Sequence, residues 1–319
     1  MKVCYFIQSH RNPQQIYRLI RTIKKQSPNS IVLVNHDFSV SNLDIRDVGN
    51  YSEVEIIKRN KSAARGNSSI LEIYLDAINW LLARKSDFDW LVCLSGQDYP
   101  TQPISKTEEF LAQTEYDGFI RYYDPLAEKS AWNEKSIQRF FNQYIQLPES
   151  AAWLLRKYSG KIEHYTPLIV KWRYSMVGLK TKTPFNRNFK CYRGWHWNTL
   201  SQACVKFLMN YLNEHPDILR YYKRTIGPEE SLVQTVLVNS QQFNLCNDDK
   251  RYHDYPLELG GYARLLTVKD YPIVTNGNFH FARKFDAEID SEILDLLDAQ
   301  ALNNSPLAPE HIQKSNSCD

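Results

Sequence analysis

Two adjacent carboxylates, Glu229 and Glu230, could accept a proton from a substrate. A carboxylate within hydrogen-bond reach of a hydroxyl can act as a general base. Pro228 lies directly before them and suits the first turn of a helix, where acids also stabilise the positive end of the helix dipole. The residues alone therefore leave a catalytic and a structural explanation open.

A second candidate site follows the apolar residues 90–94, which are typical of a strand buried on both faces. The strand ends at Ser95, Gly96, Gln97 and Asp98. Ligands of open α/β sheets bind at the carboxyl ends of strands, so we expect these residues to enter a cleft. Gly96 would let a ligand approach the backbone. An ordinary strand-to-turn connection is the alternative.

The elements that position these residues alternate between strands and helices. Three early segments read as strands, namely residues 3–7, 30–35 and 54–58. Asn12 is predicted to cap the helix that follows the first strand. Such alternation predicts an α/β fold with parallel strands joined by crossovers. Gln8 and His10 follow the first strand and should face the same cleft, although exposed histidines are also common in loops.

The alternation stops at about residue 124. Just before it, residues 105–108 read Ser-Lys-Thr-Glu, a capping box that predicts the start of a short helix. Residues 129–158 are then predicted to be helical, because apolar residues recur there at helical spacing. The sequence therefore predicts an insert of helical character within the α/β fold.

Cations are concentrated in residues 156–193, which contain ten Lys or Arg and one acid, interleaved with aromatic residues. This segment could bind RNA, could be a solvated insert, or could contact anionic acceptors or lipid headgroups. No recognisable nucleic-acid-binding module accompanies it, and the net charge is only +3, so nucleic acid is not the expected partner. Peripheral contact with a membrane remains an expectation for this segment.

The composition is that of an ordinary globular protein, with 43% hydrophobic and 24% charged residues among 319. The six cysteines form no CxxC pair, which favours reduced thiols in a cytosolic protein over a zinc site or a disulfide framework. No segment reads as a signal peptide or a membrane span, so a cytoplasmic location is expected.

Five segments, in this order, resemble the core-2/I-branching β-1,6-N-acetylglucosaminyltransferase and protein xylosyltransferase family, glycosyltransferase family 14. They are Tyr5-Phe-Ile-Gln-Ser-His10, Leu94-Ser-Gly-Gln-Asp-Tyr-Pro100, Gly194-Trp-His-Trp-Asn-Thr-Leu-Ser201, Pro228-Glu-Glu-Ser-Leu232 and Phe281-Ala-Arg-Lys-Phe-Asp286. Each is weak alone, but five in the order of the family are specific. The resemblance implies a GT-A-type nucleotide-sugar-binding fold, with a mostly parallel central sheet flanked by helices.

The resemblance also implies a domain organisation. Residues 1–298 are expected to form one domain, followed by a disordered tail over 299–319. Its parts are a nucleotide-binding half (about 1–123), a helical basic insert (about 124–190) and an acceptor-binding, catalytic half (about 191–298).

The activity implied by the resemblance is inverting transfer from a UDP-sugar without a metal ion. Glu230 matches the general base of the family, and Glu229 is expected either to bind a sugar hydroxyl or to stabilise a helix end. Arg283 and Lys284 match the cations that hold the diphosphate in place of a metal, and Arg264 resembles a second basic ligand. Guanidinium groups bind phosphate oxygens through two parallel hydrogen bonds, and lysine adds a point charge.

The remaining site residues follow from the same resemblance. Trp195 or Trp197 would stack on a pyranose face while the other packs in the core. Asp98 is not half of a metal-binding Asp-x-Asp motif, since Gly96 stands where the first acid would be. It is expected to bind ribose or sugar hydroxyls, or to cap its own turn. Gln8, His10, Gly96 and Gln97 would lie on the donor side.

The expected reaction is transfer of GlcNAc or xylose to a hydroxyl of a glycan or lipid-linked glycan. A catalytically silent sugar- or nucleotide-binding protein on the same fold is the alternative, because fold does not fix function. Retention of both the acid and the cations argues against it, since a binding protein needs no base. An RNA-binding protein acting through residues 156–193 is a third possibility.

Overall fold

The first part of the chain alternates strands and helices, as predicted. The computed structural model describes residues 1–48, 51–60, 62–127, 131–148, 151, 153, 157–158, 168–171, 174–256 and 262–303. The early strands are β1 (Val3–Ser9), β2 (Ile31–Asp37), β3 (Val54–Arg59), β4 (Trp90–Ser95), β5 (Asp98–Pro100) and β6 (Gly118–Tyr123). The early helices are α1 (Pro13–Gln26), α2 (Ser69–Ala83) and α3 (Ile104–Gln113).

The second part of the chain begins with a small insert and then returns to the main sheet. The insert contains α4 (Ala131–Phe140), β7 (Asn142–Gln146), β8 (Ile169–Lys171) and β9 (Met176–Lys180). The later strands are β10 (Arg193–Ser201), β11 (Leu245–Cys246), β12 (Arg251–His253) and β13 (Phe281–Arg283). The later helices are α5 (Gln202–Glu214), α6 (Pro216–Tyr222), α7 (Leu232–Ser240), α8 (Tyr271–Asn276) and α9 (Glu292–Asn303).

The central sheet has seven strands in the order β11-β6-β10-β4-β1-β2-β3. Only β10 runs antiparallel to its neighbours, so the sheet is mostly parallel. Helices cover both faces, so the predicted α/β fold with a mostly parallel central sheet flanked by helices is confirmed. A second sheet, β12-β13-β5, lies beside it and aligns Arg283 with Asp98.

Apolar side chains cover the two faces of the central sheet in separate layers. One layer contains Phe6, Cys93 and the apolar face of α5, and the other contains Tyr5 and Ile7 with the apolar face of α1. Burying one Leu or Ile side chain stabilises the fold by about 1.5–3 kcal/mol, so these faces hold the helices on the sheet. Ser201 caps α5 as the sequence suggests, since its hydroxyl accepts from the Cys204 N–H at 3.3 Å.

Two predicted helix caps are wrong, because both side chains have tertiary partners instead. Asn12 precedes α1 but donates to Asp286 at 2.8 Å and makes no side-chain cap. Helix α3 begins at Ile104, before the proposed capping box, and no side chain of its own caps it. Glu108, the acid of that box, accepts from the Tyr5 hydroxyl at 2.9 Å.

The predicted helix over residues 129–158 is also wrong over Asn142–Gln146, where the chain forms β7 of a three-stranded antiparallel sheet. Helical spacing led to this error, because Tyr144 continues the apolar pattern of α4. In the fold Tyr144 instead packs on Gly178 of β9, where any side chain would collide with its ring. The insert is therefore a mixture of helix and strand.

The tail prediction is wrong at its start, because α9 continues through residues 299–303. Residues 304–319 lie outside the described part of the chain, as do 154–156, 159–167 and 172–173 of the basic segment. Among the helices that the structure describes, none is both long and apolar enough to cross a membrane.

Candidate active site

A cavity of about 400 Å³ lies at the carboxyl ends of β1, β2 and β4. It is lined by all of the sequence-predicted site residues except Asp98 and Arg264. These are Gln8, His10, Gly96, Gln97, Trp195, Trp197, Glu229, Glu230, Arg283 and Lys284. Residues distant in the sequence therefore meet at one edge of the sheet, as expected for an open α/β fold.

Gly96 has a packing role besides its place in the cavity. A Cβ atom there would lie 3.2 Å from side-chain atoms of both Ile16 and Ser9. The missing side chain lets the ends of β1 and β4 pack together, and the backbone supports this because Gly96 N–H donates to the Gln8 carbonyl at 2.9 Å. The glycine is therefore explained by the fold even before any ligand binds.

The motif around Trp195 reaches the cavity through an irregularity in β10. Any side chain on Gly194 would collide with the carbonyl of Arg121 on the neighbouring strand β6. The pairing register then shifts between Gly194 and Asn198. Such bulges redirect side chains at sheet edges. Here the shifted residues include Trp195 and Trp197, both of which line the cavity.

Asp98 caps its own turn, which is one of the two roles expected for it. Its carboxylate is buried and accepts from the Ser95 N–H at 2.7 Å and from the Ser95 hydroxyl. Its other oxygen lies 3.6 Å from Nε of Arg283. Asp98 thus supports a residue of the cavity without lining the cavity itself.

Arg264 is engaged by two acids and does not line the cavity. Its guanidinium donates to Asp254 at 2.9 Å and to Asp270 at 2.7 Å. The hydrogen bonds that Arg264 donates to Asp270 and Asp254 raise its pKa. Its neighbour Ala263 lines the cavity instead. The structure therefore does not bring Arg264 to the other predicted diphosphate ligands.

Arg283 and Lys284 place positive charge on one wall of the cavity. The guanidinium carbon of Arg283 lies 3.8 Å from the ring centroid of Trp197, so this tryptophan supports a cation. Burial, followed by the charges of Arg283 and Arg11, lowers the pKa of Lys284. Within the described ranges no acid lies within 4.0 Å of the Lys284 ammonium. Such a cluster suits an anionic group.

Glu229 and Glu230 lie on a short 3₁₀ helix, Pro228–Glu230, which follows Gly227 in a left-handed conformation with φ 64°. Glu229 is 6% exposed, and its Oε2 atom is buried without a hydrogen-bond partner in the described part of the chain. Burial, followed by repulsion from Glu230, raises the pKa of Glu229 to about 7. Glu230 is more open, and its Oε2 accepts from Arg139 at 2.7 Å.

Sequence reasoning missed Arg139, His196 and Tyr255. Arg139 belongs to the insert, and no motif marks it. His196 stands between the two tryptophans of a motif already considered, so that motif was the available signal. Its Nε2 lies 3.1 Å from the Gln8 amide oxygen, and burial, followed by the charge of Arg283, lowers its pKa to about 3. The imidazole is therefore neutral near pH 7.

Tyr255 covers one face of Trp195, because the two rings stack at 4.6 Å with 2° between their planes. Three further residues that line the cavity carry buried polar atoms without a partner among the described residues. The atoms are Asn35 Oδ1, Arg59 Nε and Gln97 Nε2. Unpaired buried polar atoms are costly, so these groups are ready to bind a polar ligand.

No group of three or more His, Cys, Asp or Glu that could hold a metal ion occurs in the described ranges.

The family profile described as "Core-2/I-Branching enzyme" matches residues 4–265, most of the chain. The chain belongs to this family. It is 24% identical to the β-glucuronosyltransferase GlcAT14A of Arabidopsis thaliana over 255 residues, which cover 79% of this chain and 51% of that protein. It is 20% identical to xylosyltransferase 2 of Rattus norvegicus over 329 residues, covering 96% of this chain and 34% of that protein.

The chain thus spans about half the length of the plant relative and about a third of the length of the xylosyltransferase. Among solved structures, it is similar to that of S. aureus TarS 1-349 in complex with UDP-GlcNAc. That similarity covers 44% of this chain and 38% of the other, with 12% identity and a TM-score of 0.29.

Proposed function

We propose that this member of the Core-2/I-Branching family is an inverting glycosyltransferase that uses a UDP-sugar. The observation that carries the proposal is the meeting of Glu230 with Arg283 and Lys284 around one cavity. A group that can accept a proton and a group that can bind a leaving diphosphate are the two requirements of sugar transfer. A binding protein would need only the second.

The cations would hold the diphosphate. As the bond between C1 of the sugar and the phosphate oxygen breaks, its electron pair leaves with UDP, and negative charge grows on the diphosphate. Arg283 is held in place by Trp197 and Asp98, and Lys284 adds an ammonium that no described acid neutralises. Cations that are already oriented stabilise such charge without reorganising. We therefore propose that transfer proceeds without a metal ion.

Glu230 would act as the base. The acceptor hydroxyl attacks C1 from the face opposite the leaving UDP, which inverts the configuration there. The hydroxyl proton passes to the carboxylate of Glu230 as the new bond forms. Glu230 lines the cavity and is paired with Arg139, which fixes the position of its carboxylate. Glu229 has an unpaired buried oxygen that suits a sugar hydroxyl.

The donor sugar is proposed to be GlcNAc, xylose or glucuronic acid. The first two follow from the resemblance of the motifs, and the third from the similarity to the plant β-glucuronosyltransferase. A screen that measures UDP release from each UDP-sugar, with and without sugar acceptors, tests the function. Release from one donor that an acceptor accelerates is expected, whereas binding of UDP without release from any donor would leave only a binding protein.

The acceptor is proposed to be a glycan or a lipid-linked glycan. Exposed cations of the basic segment, among them Lys180, Lys182 and Arg187, support contact with anionic headgroups when the acceptor is lipid-linked. Co-sedimentation with vesicles of anionic and of neutral lipids tests this contact. Equal binding to both vesicle types would contradict it.

A further inference from the structure

Arg139 reaches from the insert to the acidic loop at three points. Its Nε donates to the Ile226 carbonyl at 3.0 Å, and its Nη2 donates to the Gly227 carbonyl at 3.3 Å. Its Nη1 donates to Oε2 of Glu230 at 2.7 Å. A guanidinium is a planar group with five donors in fixed directions, so these contacts fix Glu230 relative to its own backbone.

The loop is shaped to receive this side chain. Gly227 is left-handed, and any side chain there would collide with Nη2 of Arg139. A backbone hydrogen bond joins the same two segments, because Ile226 N–H donates to the Arg139 carbonyl at 3.3 Å. The glycine before the two acids is thus explained by the close approach of an arginine from a distant element.

We propose that Arg139 is a positioning residue for Glu230, which directs its carboxylate into the cavity for proton transfer. This inference rests on the proposed function. Because Arg139 binds Oε2, the other oxygen of Glu230 stays free to face the acceptor hydroxyl. The insert would then act in catalysis through this one contact, in addition to any contact that it makes with the acceptor.

Other charged and titratable groups also face Glu230. Glu229 precedes it, and Tyr255 and Arg193 lie near it. Arg193 is directed elsewhere in part, since its Nη1 donates to the Ser136 hydroxyl at 2.8 Å. Without Arg139 the carboxylate loses the cation that is hydrogen-bonded to it and stays beside a neighbouring acid.

The experiment compares Arg139→Gln and Arg139→Lys with the matched control Arg18→Gln. Arg18 has the same side-chain exposure as Arg139, 25%, and is paired with Asp298 at 2.7 Å, but it does not line the cavity. For each variant, kcat, KM and UDP affinity are measured with the donor and acceptor found for the wild type. Hydrogen exchange of residues 225–231 and thermal stability are measured on the same samples.

Arg139→Gln is expected to lower kcat about 10- to 100-fold, with little change in UDP affinity, because one charged hydrogen bond is lost. Arg139→Lys should restore part of the lost kcat. Residues 225–231 should exchange faster in Arg139→Gln than in Arg18→Gln.

Activity of Arg139→Gln that falls only in proportion to its stability, or a loss of kcat that Arg139→Lys does not partly restore, would overturn the inference. Unchanged exchange in residues 225–231 would also overturn it, and that readout needs no turnover. If instead the wild type transfers no sugar from any donor while exchange responds to Arg139, the proposed function has failed and Arg139 holds the loop for another purpose.

Discussion

Nε of Arg283 lies 3.6 Å from Oδ1 of Asp98, and the two residues face each other across the ladder between β13 and β5. The guanidinium is also stacked on Trp197 at 3.8 Å. Asp98 is buried, so its charge acts on Arg283 through little water. Arg283 is thereby oriented before any ligand binds, and the adjacent Lys284 is proposed to bind the diphosphate with it.

Replacing Lys284 with alanine should weaken UDP binding about 10- to 100-fold, because a charged hydrogen bond contributes about 1.5–3 kcal/mol. Isothermal titration calorimetry with UDP measures this directly. Arg264→Ala is the matched control, since that arginine is held by Asp254 and Asp270 away from the cavity. UDP affinity that survives Lys284→Ala but falls in Arg264→Ala would show that the two roles are reversed.

Activity should persist in excess EDTA, because Arg283 and Lys284 are proposed to stabilise the leaving diphosphate. The rate of UDP release is measured before and after chelation, and again after adding manganese or magnesium. Complete loss of activity with EDTA, restored by either metal, would contradict the proposed role of these cations.

The raised pKa of Glu229 predicts how its replacement changes stability with pH. Its pKa is about 7 in the fold, above the ordinary value of 4.5. Between these values the unfolded chain releases the proton while the native protein keeps it, so the free energy of unfolding falls as the pH rises. Glutamine does not titrate, so Glu229→Gln does not lose free energy of unfolding in this way. At about pH 8 the variant should be more stable than the wild type on the order of 1–3 kcal/mol.

Near pH 4 both states hold the proton, so wild type and Glu229→Gln should be similar in stability. Denaturant unfolding at the two pH values measures the difference. If Glu229→Gln changes the free energy of unfolding equally at both pH values, burial does not raise the pKa of Glu229.

Much of the cavity could be predicted because strand exits and adjacent charges are local patterns. The apolar residues before Ser95 and the cations after Ala282 are both visible in a few neighbouring positions, and the sheet brings their ends together. The sequence could not decide whether Asp98 binds sugar hydroxyls or caps its own turn. The outcome depends on whether β13 lies beside β5. That pairing joins residues far apart in the chain.

The insert was predicted less well, for a physical reason. Residues 137–144 carry apolar side chains at helical spacing, yet Phe140 ends α4 and Tyr144 lies in β7. Tertiary contacts decide this, because Tyr144 packs on Gly178 and its N–H donates to the Arg224 carbonyl at 2.7 Å. The contact between Arg139 and Glu230 depends on the same packing, so no short motif predicts it.

The central claim is that Glu230 accepts the acceptor's proton, and Glu229 provides the comparison. Both acids line the cavity, but Glu230 is paired with Arg139 whereas Glu229 is buried. Glutamine keeps the shape of either side chain and removes its ability to accept the proton. If Glu230 only stabilised the helix end, Glu230→Gln would lose about 0.3–1 kcal/mol of stability and would keep nearly all of its turnover.

The most direct measurement is therefore the turnover number of Glu230→Gln and Glu229→Gln, each beside its melting temperature and UDP affinity. The account predicts that Glu230→Gln is about 10²–10⁴ times slower with UDP affinity retained, and that Glu229→Gln loses less than about tenfold. A slow Glu229→Gln beside an active Glu230→Gln would contradict it and place the base one residue earlier.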